Sequence, residues 1–432
     1  MTIRVLNLKD STLPPPSFIP SGTLNIDSEG TYNVVNYEFI KVLIEKNELK
    51  QVACSNSTTW VLKTDGTLWG CGDAYHGQQG SGGTSSVFKF TQRLTDVEKV
   101  LCTKITTWAL KEDGTLWGCG DSSYGQQGSG NTSDVKTFTQ RLTNVKDIVY
   151  SEHTTWVLKT DGTLWGCGRN NCGQQGSGDT TNVLEFTQRM ENVKQVSCTE
   201  QTTWILKTNN TLWGCGYNYF GQQGSGNTTD VKIFTQRLDN VKKVVCSDMT
   251  TWALKTDDTL WGCGSSGNGQ QGSGGTSEVK IFTQRLENVK DFACNKYATF
   301  AIKNDGTLWG CGFNVYGQQG SGDTTDVKVF TQRLSNVKDF VCPEDTIWAI
   351  KEDNTLWGCG RNTYGQQGSG DTASVKTFTQ RLSNVEDFAC SVSTTWAIKN
   401  DGTLWGCGNN ADGQQGSGDT ASVKTFTQRT LV

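Results

Sequence analysis

Sixteen cysteines and two histidines are the residues of this chain with the widest chemistry, so thiol and metal chemistry come first. One cysteine lies in each Trp-Gly-Cys-Gly tetrapeptide, from Cys71 to Cys407. Upstream of these stand Cys54, Cys102, Cys198, Cys246, Cys294, Cys342 and Cys390, while Tyr150 takes the equivalent place in the third copy and Cys172 lies apart. Pairing Cys54 with Cys71, and so on along the chain, would leave Cys167 opposite Tyr150. A place that accepts Cys or Tyr suits packing, and a buried free thiol acts as a small hydrophobe. Reduced, buried cysteines are therefore expected. The chain has no Cys-x-x-Cys pair and only His76 and His153, which is a poor ligand supply for a four-coordinate zinc site. Neither a metal nor a cofactor is expected. Catalysis would need a nucleophile and base, or paired carboxylates, that break the repeat. Neither histidine sits in such a motif, so the expectation is that the chain is not an enzyme. The segment Gly77-Gln78-Gln79-Gly80-Ser81-Gly82 lacks the Lys-Ser/Thr of a phosphate loop.

Recognition chemistry is better represented. The segments after Trp-Gly-Cys-Gly differ from copy to copy and carry Tyr, Phe, Asn and Arg, the types favoured at binding surfaces. The candidates are Tyr75, His76, Tyr124, Tyr217, Tyr219, Phe220, Phe313, Tyr316, Arg361 and Tyr364. Solvated loops also drift neutrally, and Tyr124, Phe220, Tyr316 and Tyr364 could instead tuck against the Gln-Gln turn. A second variable set joins the first two strands of each copy, such as Glu152-His153 and Glu344-Asp345.

The elements that must position these loops recur with a fixed period. Trp69, Trp117, Trp165, Trp213, Trp261, Trp309, Trp357 and Trp405 are each 48 residues apart. Repeats of roughly 40–50 residues holding several short strands build propellers or arrays. In the first copy, 51–55 and 58–64 read as strands, Asp65-Gly66 as a two-residue turn with positive φ at both places, and 67–72 and 90–94 as further strands. A turn centred there sets Trp60 opposite Cys71 and Leu62 opposite Trp69 on one face. Val61, Leu68 and Gly70 then share the other, where Gly70 would let the next blade approach. The 15 tryptophans are expected to pack between blades. Eight copies of four strands predict an all-β, eight-bladed β-propeller over residues 51–432, after a short β-rich N-terminal anchor over 1–50. The ring could close in phase with the copies or through a strand from the N-terminal segment.

The stretch 65–80, Asp-Gly-Thr-Leu-Trp-Gly-Cys-Gly-x(4)-Gly-Gln-Gln-Gly, resembles the core of the regulator-of-chromosome-condensation repeat family. The resemblance implies a β-propeller, usually of seven blades, and a founder that is a nucleotide exchange factor for a small GTPase. Gln79 stands where the family has Leu, and no functional residue carries over. Residues Ser21 to Tyr37 are similar to segments of tailed-bacteriophage structural proteins, and read as strands over 23–26 and 31–35 behind the stiff spacer Pro14-Pro15-Pro16. That resemblance implies a virion protein of tail, baseplate or fibre type. It would be made in the host cytoplasm without a signal peptide, be present in several copies per particle, and bind other virion proteins through residues 1–50. The propeller would meet a host-surface glycan or protein. The alternatives are an intracellular protein-interaction scaffold of the chromosome-condensation type, or a decoration without ligand. A net charge of −4 supplies no general attraction to nucleic acid, and no apolar run suits membrane insertion.

Overall fold

The computed structural model describes residues 49–55 and 57–429, with two short strands ahead of them. Those two, Asn25–Ile26 and Tyr32–Asn33, pair antiparallel in one small hairpin, with Ile26 opposite Tyr32. Of the remainder of the expected anchor, Leu49 and Lys50 belong instead to the first blade, and the rest lies outside the described residues.

From Leu49 onward the chain forms eight four-stranded antiparallel sheets, each built from one contiguous copy. The first blade comprises Leu49–Cys54, Thr58–Lys63, Leu68–Gly72 and Val87–Leu94. The eighth comprises Val385–Cys390, Thr394–Lys399, Leu404–Gly408 and Val423–Arg429. First strands of successive blades approach one another, those of blades 8 and 1 included, so they line the axis. The fourth strands are largely exposed and form the circumference. Every described regular element is a strand, and no helix is long and apolar enough to cross a membrane.

The ring closes in phase. Gly418 N donates to Phe88 O at 3.1 Å across the seam, as Gly82 N donates to Lys136 O at 2.9 Å between blades 1 and 2. Thr59 Oγ1 of blade 1 reaches Gln414 O of blade 8 at 2.7 Å, matching Thr107 Oγ1 on Gln78 O at 2.8 Å. The seam therefore uses the contacts of ordinary junctions, with no N-terminal strand in blade 1 among the described residues.

The pairing between the second and third strands differs by one residue from the sequence expectation. Trp60 lies opposite Gly70, Val61 opposite Trp69 and Thr59 opposite Cys71. Lys63 N bonds Thr67 O, so the connection spans Thr64, Asp65 and Gly66 rather than two residues. Only Gly66 in that turn has positive φ, at 78°. A three-residue hairpin with one left-handed residue is the next commonest solution after the two-residue turn, and a one-residue slip exchanges the faces. Trp60, Leu62 and Leu68 thus face blade 2, packing on Val97, Val100, Cys102 and Ala109. Val52, Cys54, Val61 and Cys71 face blade 8. Gly70 makes room for its own blade, because a Cβ there would lie 2.6 Å from the Trp60 ring.

The two tryptophan sets play different parts. The Thr-Thr-Trp indoles are fully buried, and Trp60 meets Phe138 of the next blade edge-on at 5.7 Å. The Trp-Gly-Cys-Gly indoles are half-buried. Trp69 is covered by the Lys63 ammonium at 5.3 Å, and its Nε1 donates to Thr67 Oγ1 at 3.0 Å. All sixteen cysteines are free thiols, and all but Cys198 are buried. Burial pushes the Cys54 thiol up to about 12 and that of Cys119 further still.

Candidate interaction rim

Strand alternation puts the loops after the first and third strands of every blade on the same rim. Asp73 N bonds Ser57 O at 2.9 Å, tying the two loops together. At the opposite rim each blade repeats one arrangement. Asp65 Oδ1 accepts from Thr67 N and Oγ1, and that hydroxyl bond is the main cause of the lowered pKa of Asp65.

The Gln-Gln turn fastens the variable rim. Gln78 Oε1 accepts from His76 N at 2.8 Å, while Gln78 Nε2 donates to Asp73 Oδ2 at 3.0 Å and to Lys104 O of blade 2 at 3.2 Å. The cross-blade bond recurs from Gln126 to Glu152 O and from Gln222 to Asp248 O. Gln79 stays inside its own blade, donating to Cys71 O at 2.8 Å.

Each four-residue loop between Trp-Gly-Cys-Gly and Gly-Gln-Gln-Gly has a fixed division of labour. The second residue is buried in every blade. Where it is Asn it is a hub: Asn218 Nδ2 reaches Ser225 Oγ, Asn227 O and Thr229 O, and its Oδ1 accepts from Gln223 N at 2.8 Å. At several junctions the fourth residue of one loop meets the first residue of the next blade's loop. Arg169 sits over the Tyr124 ring at 5.3 Å, Arg361 over Tyr316 at 5.2 Å, and His76 Nδ1 lies 3.9 Å from Asp121 Oδ1. Arg361 is further held by Asp345 at 3.0 Å. At the seam the corresponding residues are Asp412 and Asp73, and burial followed by the Asp73 charge raises the Asp412 carboxyl. Only the third residue is exposed in every blade.

The structure thus separates the ten candidate residues. Tyr75, Tyr219 and Tyr364 are exposed, at 71, 61 and 41 %. His76, Tyr124, Tyr316 and Arg361 are part-buried and spent on the junctions just described. Tyr217 and Phe220 back Tyr219, with ring centroids 6.3 and 5.1 Å from it, and Phe313 lies 6.3 Å from Tyr316. A second cluster joins blades 2, 3 and 4. His153 Nδ1 lies 3.7 Å from Glu200 Oε2, Arg169 Nη1 lies 3.6 Å from the same oxygen, and the Tyr124 ring is 4.6 Å from His153. Burial, then the Glu200 charge, raises the Glu152 carboxyl, while His153 lowers that of Glu200.

The profile of the regulator of chromosome condensation (RCC1) repeat matches residues 49–78, 145–174, 193–222 and 289–318. Each match runs from the innermost strand to the Gln-Gln turn, and the eight sheets repeat that unit without interruption. Blades 1, 3, 4 and 6 thus match the RCC1 repeat. Among solved structures, human WBSCR16 is similar with a TM-score of 0.58 and 21 % identity, over 76 % of this chain and 94 % of that one. Prp20p from Saccharomyces cerevisiae, studied with its binding to Gsp1p and histones, gives 0.57 and 14 % over 78 and 88 %. A structure of Kap60 bound to yeast RCC1 (Prp20) gives 0.55 and 17 % over 68 and 78 %. At these identities the likeness concerns the fold alone. No curated protein matches the chain.

Asp121, Asp134, Arg169 and Glu200 also take part in these rim junctions, although the sequence did not mark them as candidates. The signal was available: the fourth residue of one loop faces the first residue of the next, so Tyr124 with Arg169 and Tyr316 with Arg361 are the same pair repeated four blades apart.

Proposed function

We propose that this chain is a non-catalytic protein-interaction scaffold whose variable rim carries the contacts. The observation that carries the reading is the loop pattern itself. The second place of each loop is buried, while the third is exposed and holds aromatic or aliphatic side chains at Tyr75, Tyr219 and Val315, and the fourth is exposed at Tyr364. Exposed aromatics on a rigid frame lose little conformational freedom on binding, which is how interface anchors work. The opposite rim repeats the Asp65–Thr67 arrangement in nearly all blades. The RCC1 repeat type supports the same reading, since the Prp20 structures concern Kap60, Gsp1p and histones as partners of that protein. A virion role rests on residues 1–50, almost all of them outside the described structure, and the comparisons give it no support.

The test is site-specific photocrosslinking in the native host. A benzophenone side chain at Tyr75, Tyr219 or Tyr364 should give a discrete protein adduct, and one at Thr64 or Thr160 on the opposite rim should not. Adducts confined to the opposite rim would overturn the assignment.

A further inference from the structure

We propose that the rim junction between blades 1 and 2 is a binding site for a zinc-class divalent ion, held by His76 Nδ1, Asp121 Oδ1 and Asp134 Oδ2. His76 comes from the loop of blade 1, and both carboxylates come from blade 2. The three donor atoms lie within 4.8 Å of one another, with His76 Nδ1 3.3 Å from Asp134 Oδ2 and 3.9 Å from Asp121 Oδ1. Ligands about 2.0–2.1 Å from a tetrahedral ion stand roughly 3.4 Å apart. The His76–Asp134 spacing therefore fits one edge of a coordination sphere as it stands, and Asp121 would move inward to complete it.

The charge balance points the same way. Asp121 is 4 % exposed, and its oxygens accept only from neutral groups, Ser123 N, Ser123 Oγ and Gln126 Nε2. Among the described residues, neither Asp121 nor Asp134 pairs with a lysine or arginine, and His76 is the one basic group facing them. Two carboxylates against one imidazole leave the cluster negative even when the imidazole is protonated. A buried carboxylate is stable when paired with a cation or metal.

The other junctions differ in the relevant way. Between blades 5 and 6 the same carboxylate position, Asp326, accepts from the Asn268 amide at 3.3 Å, and the position of Asp121 holds Phe313. The Glu152, His153 and Glu200 cluster brings its own cation, Arg169, to Glu200. Only the junction of blades 1 and 2 combines an imidazole, a buried carboxylate and an outer carboxylate without a guanidinium. One nitrogen and two oxygen ligands suit a borderline divalent ion such as zinc, with water completing the sphere. The ion would fasten two blades at the rim beside the exposed Tyr75.

The substitutions that test this already occur elsewhere in the ring, so the fold should accept them. Tyr occupies the place of His76 in Tyr124, Tyr316 and Tyr364, and Ser occupies that of Asp134 in Ser374 and Ser422. The full chain, kept reduced, is titrated with zinc chloride by calorimetry and with cobalt(II) by visible absorption. One saturable site is expected, with cobalt d–d bands and no thiolate-to-cobalt charge-transfer band. H76Y and D134S should each weaken binding on the order of tenfold or more, while His153→Gln leaves it unchanged. Zinc should also raise the melting temperature of the wild type and of His153→Gln but not of H76Y, since a ligand of the folded state stabilises by mass action. The proposal is overturned if no saturable binding is seen, if the thiolate band appears, or if H76Y and D134S bind like the wild type. Loss of binding in His153→Gln alone would overturn it equally.

Discussion

Leucine placed at Gln222 and at Gln223, one at a time, should give two proteins of unequal stability, although the residues are adjacent, identical and fully buried. Gln222 Oε1 accepts from Phe220 N at 2.9 Å, and its Nε2 donates across the junction to Asp248 O at 3.0 Å. Leucine loses both bonds and strands both partners, a cost of roughly 2–3 kcal/mol at about 1 kcal/mol per bond plus the desolvation of the groups left behind. Gln223 donates to Cys215 O at 2.8 Å, but its Oε1 is buried and accepts from no group among the described residues. Leucine there loses one bond and removes one unsatisfied acceptor, so the two effects nearly cancel, to within about 1 kcal/mol. The RCC1 resemblance places leucine at this second position, in keeping with that balance. Urea unfolding followed by tryptophan fluorescence measures both variants. Hydrogen exchange adds a local readout, because the Phe220 amide should exchange faster in Gln222→Leu only. Equal losses, or a larger loss for Gln223→Leu, would refute the reasoning.

Gly214→Ala should destabilise more than Gly162→Ala. At Gly214 a Cβ would stand 2.6 Å from the Trp204 ring, an overpacking that costs about 1–3 kcal/mol, whereas at Gly162 it meets nothing within 4 Å and the cost is the positive φ of 80°, about 1 kcal/mol. Denaturant midpoints separate the two. The buried thiols make stability fall in alkali. An unfolded cysteine ionises near 9.0, whereas Cys54 in the fold holds its proton to about 12, so the stabilisation is complete below pH 9 and is lost as pH rises toward 12. The loss per thiol approaches about 1.4 kcal/mol per pH unit, and unfolding midpoints that stay flat across that range would contradict it. Alkylating reagents at neutral pH should leave the native thiols unmodified until urea is added, as mass spectrometry can check. A chain lacking residues 1–37 should keep the melting temperature of the full chain, since the described ring closes through contacts between blades 8 and 1, such as Gly418 with Phe88 and Thr59 with Gln414, and a marked drop would show that the N-terminal segment supports the ring.

The period of 48 residues made the blade count and the four-strand content legible, because eight copies with the same strand signals leave little choice of architecture. The hairpin register was not legible. Asp65-Gly66 satisfies a two-residue turn and also the last two places of a three-residue one, and only the Lys63 to Thr67 bond separates them. Tyr75 and Tyr219, picked out as candidates by their variable loops, are exposed. Tyr124 and Tyr316 look the same in sequence but are used against Arg169 and Arg361, because a loop's partner is supplied by the neighbouring blade rather than by its own flanks. The buried hub Asn218 was hidden for the opposite reason. Its position also takes Ala74 and Ser122, so it reads as variable although it never sees solvent.

The central claim is that the exposed third place of the rim loops, at Tyr75 and Tyr219, serves recognition while its neighbours hold the ring. The most direct measurement takes Tyr219→Ser and Asn218→Ala side by side, following melting temperature and the yield of the photocrosslinked partner from a benzophenone at Tyr75. Tyr219→Ser should melt like the wild type and lose most of the adduct. Asn218→Ala should lose roughly 2 kcal/mol of stability and keep the adduct below its melting point. A destabilised Tyr219→Ser with undiminished adduct would contradict the account.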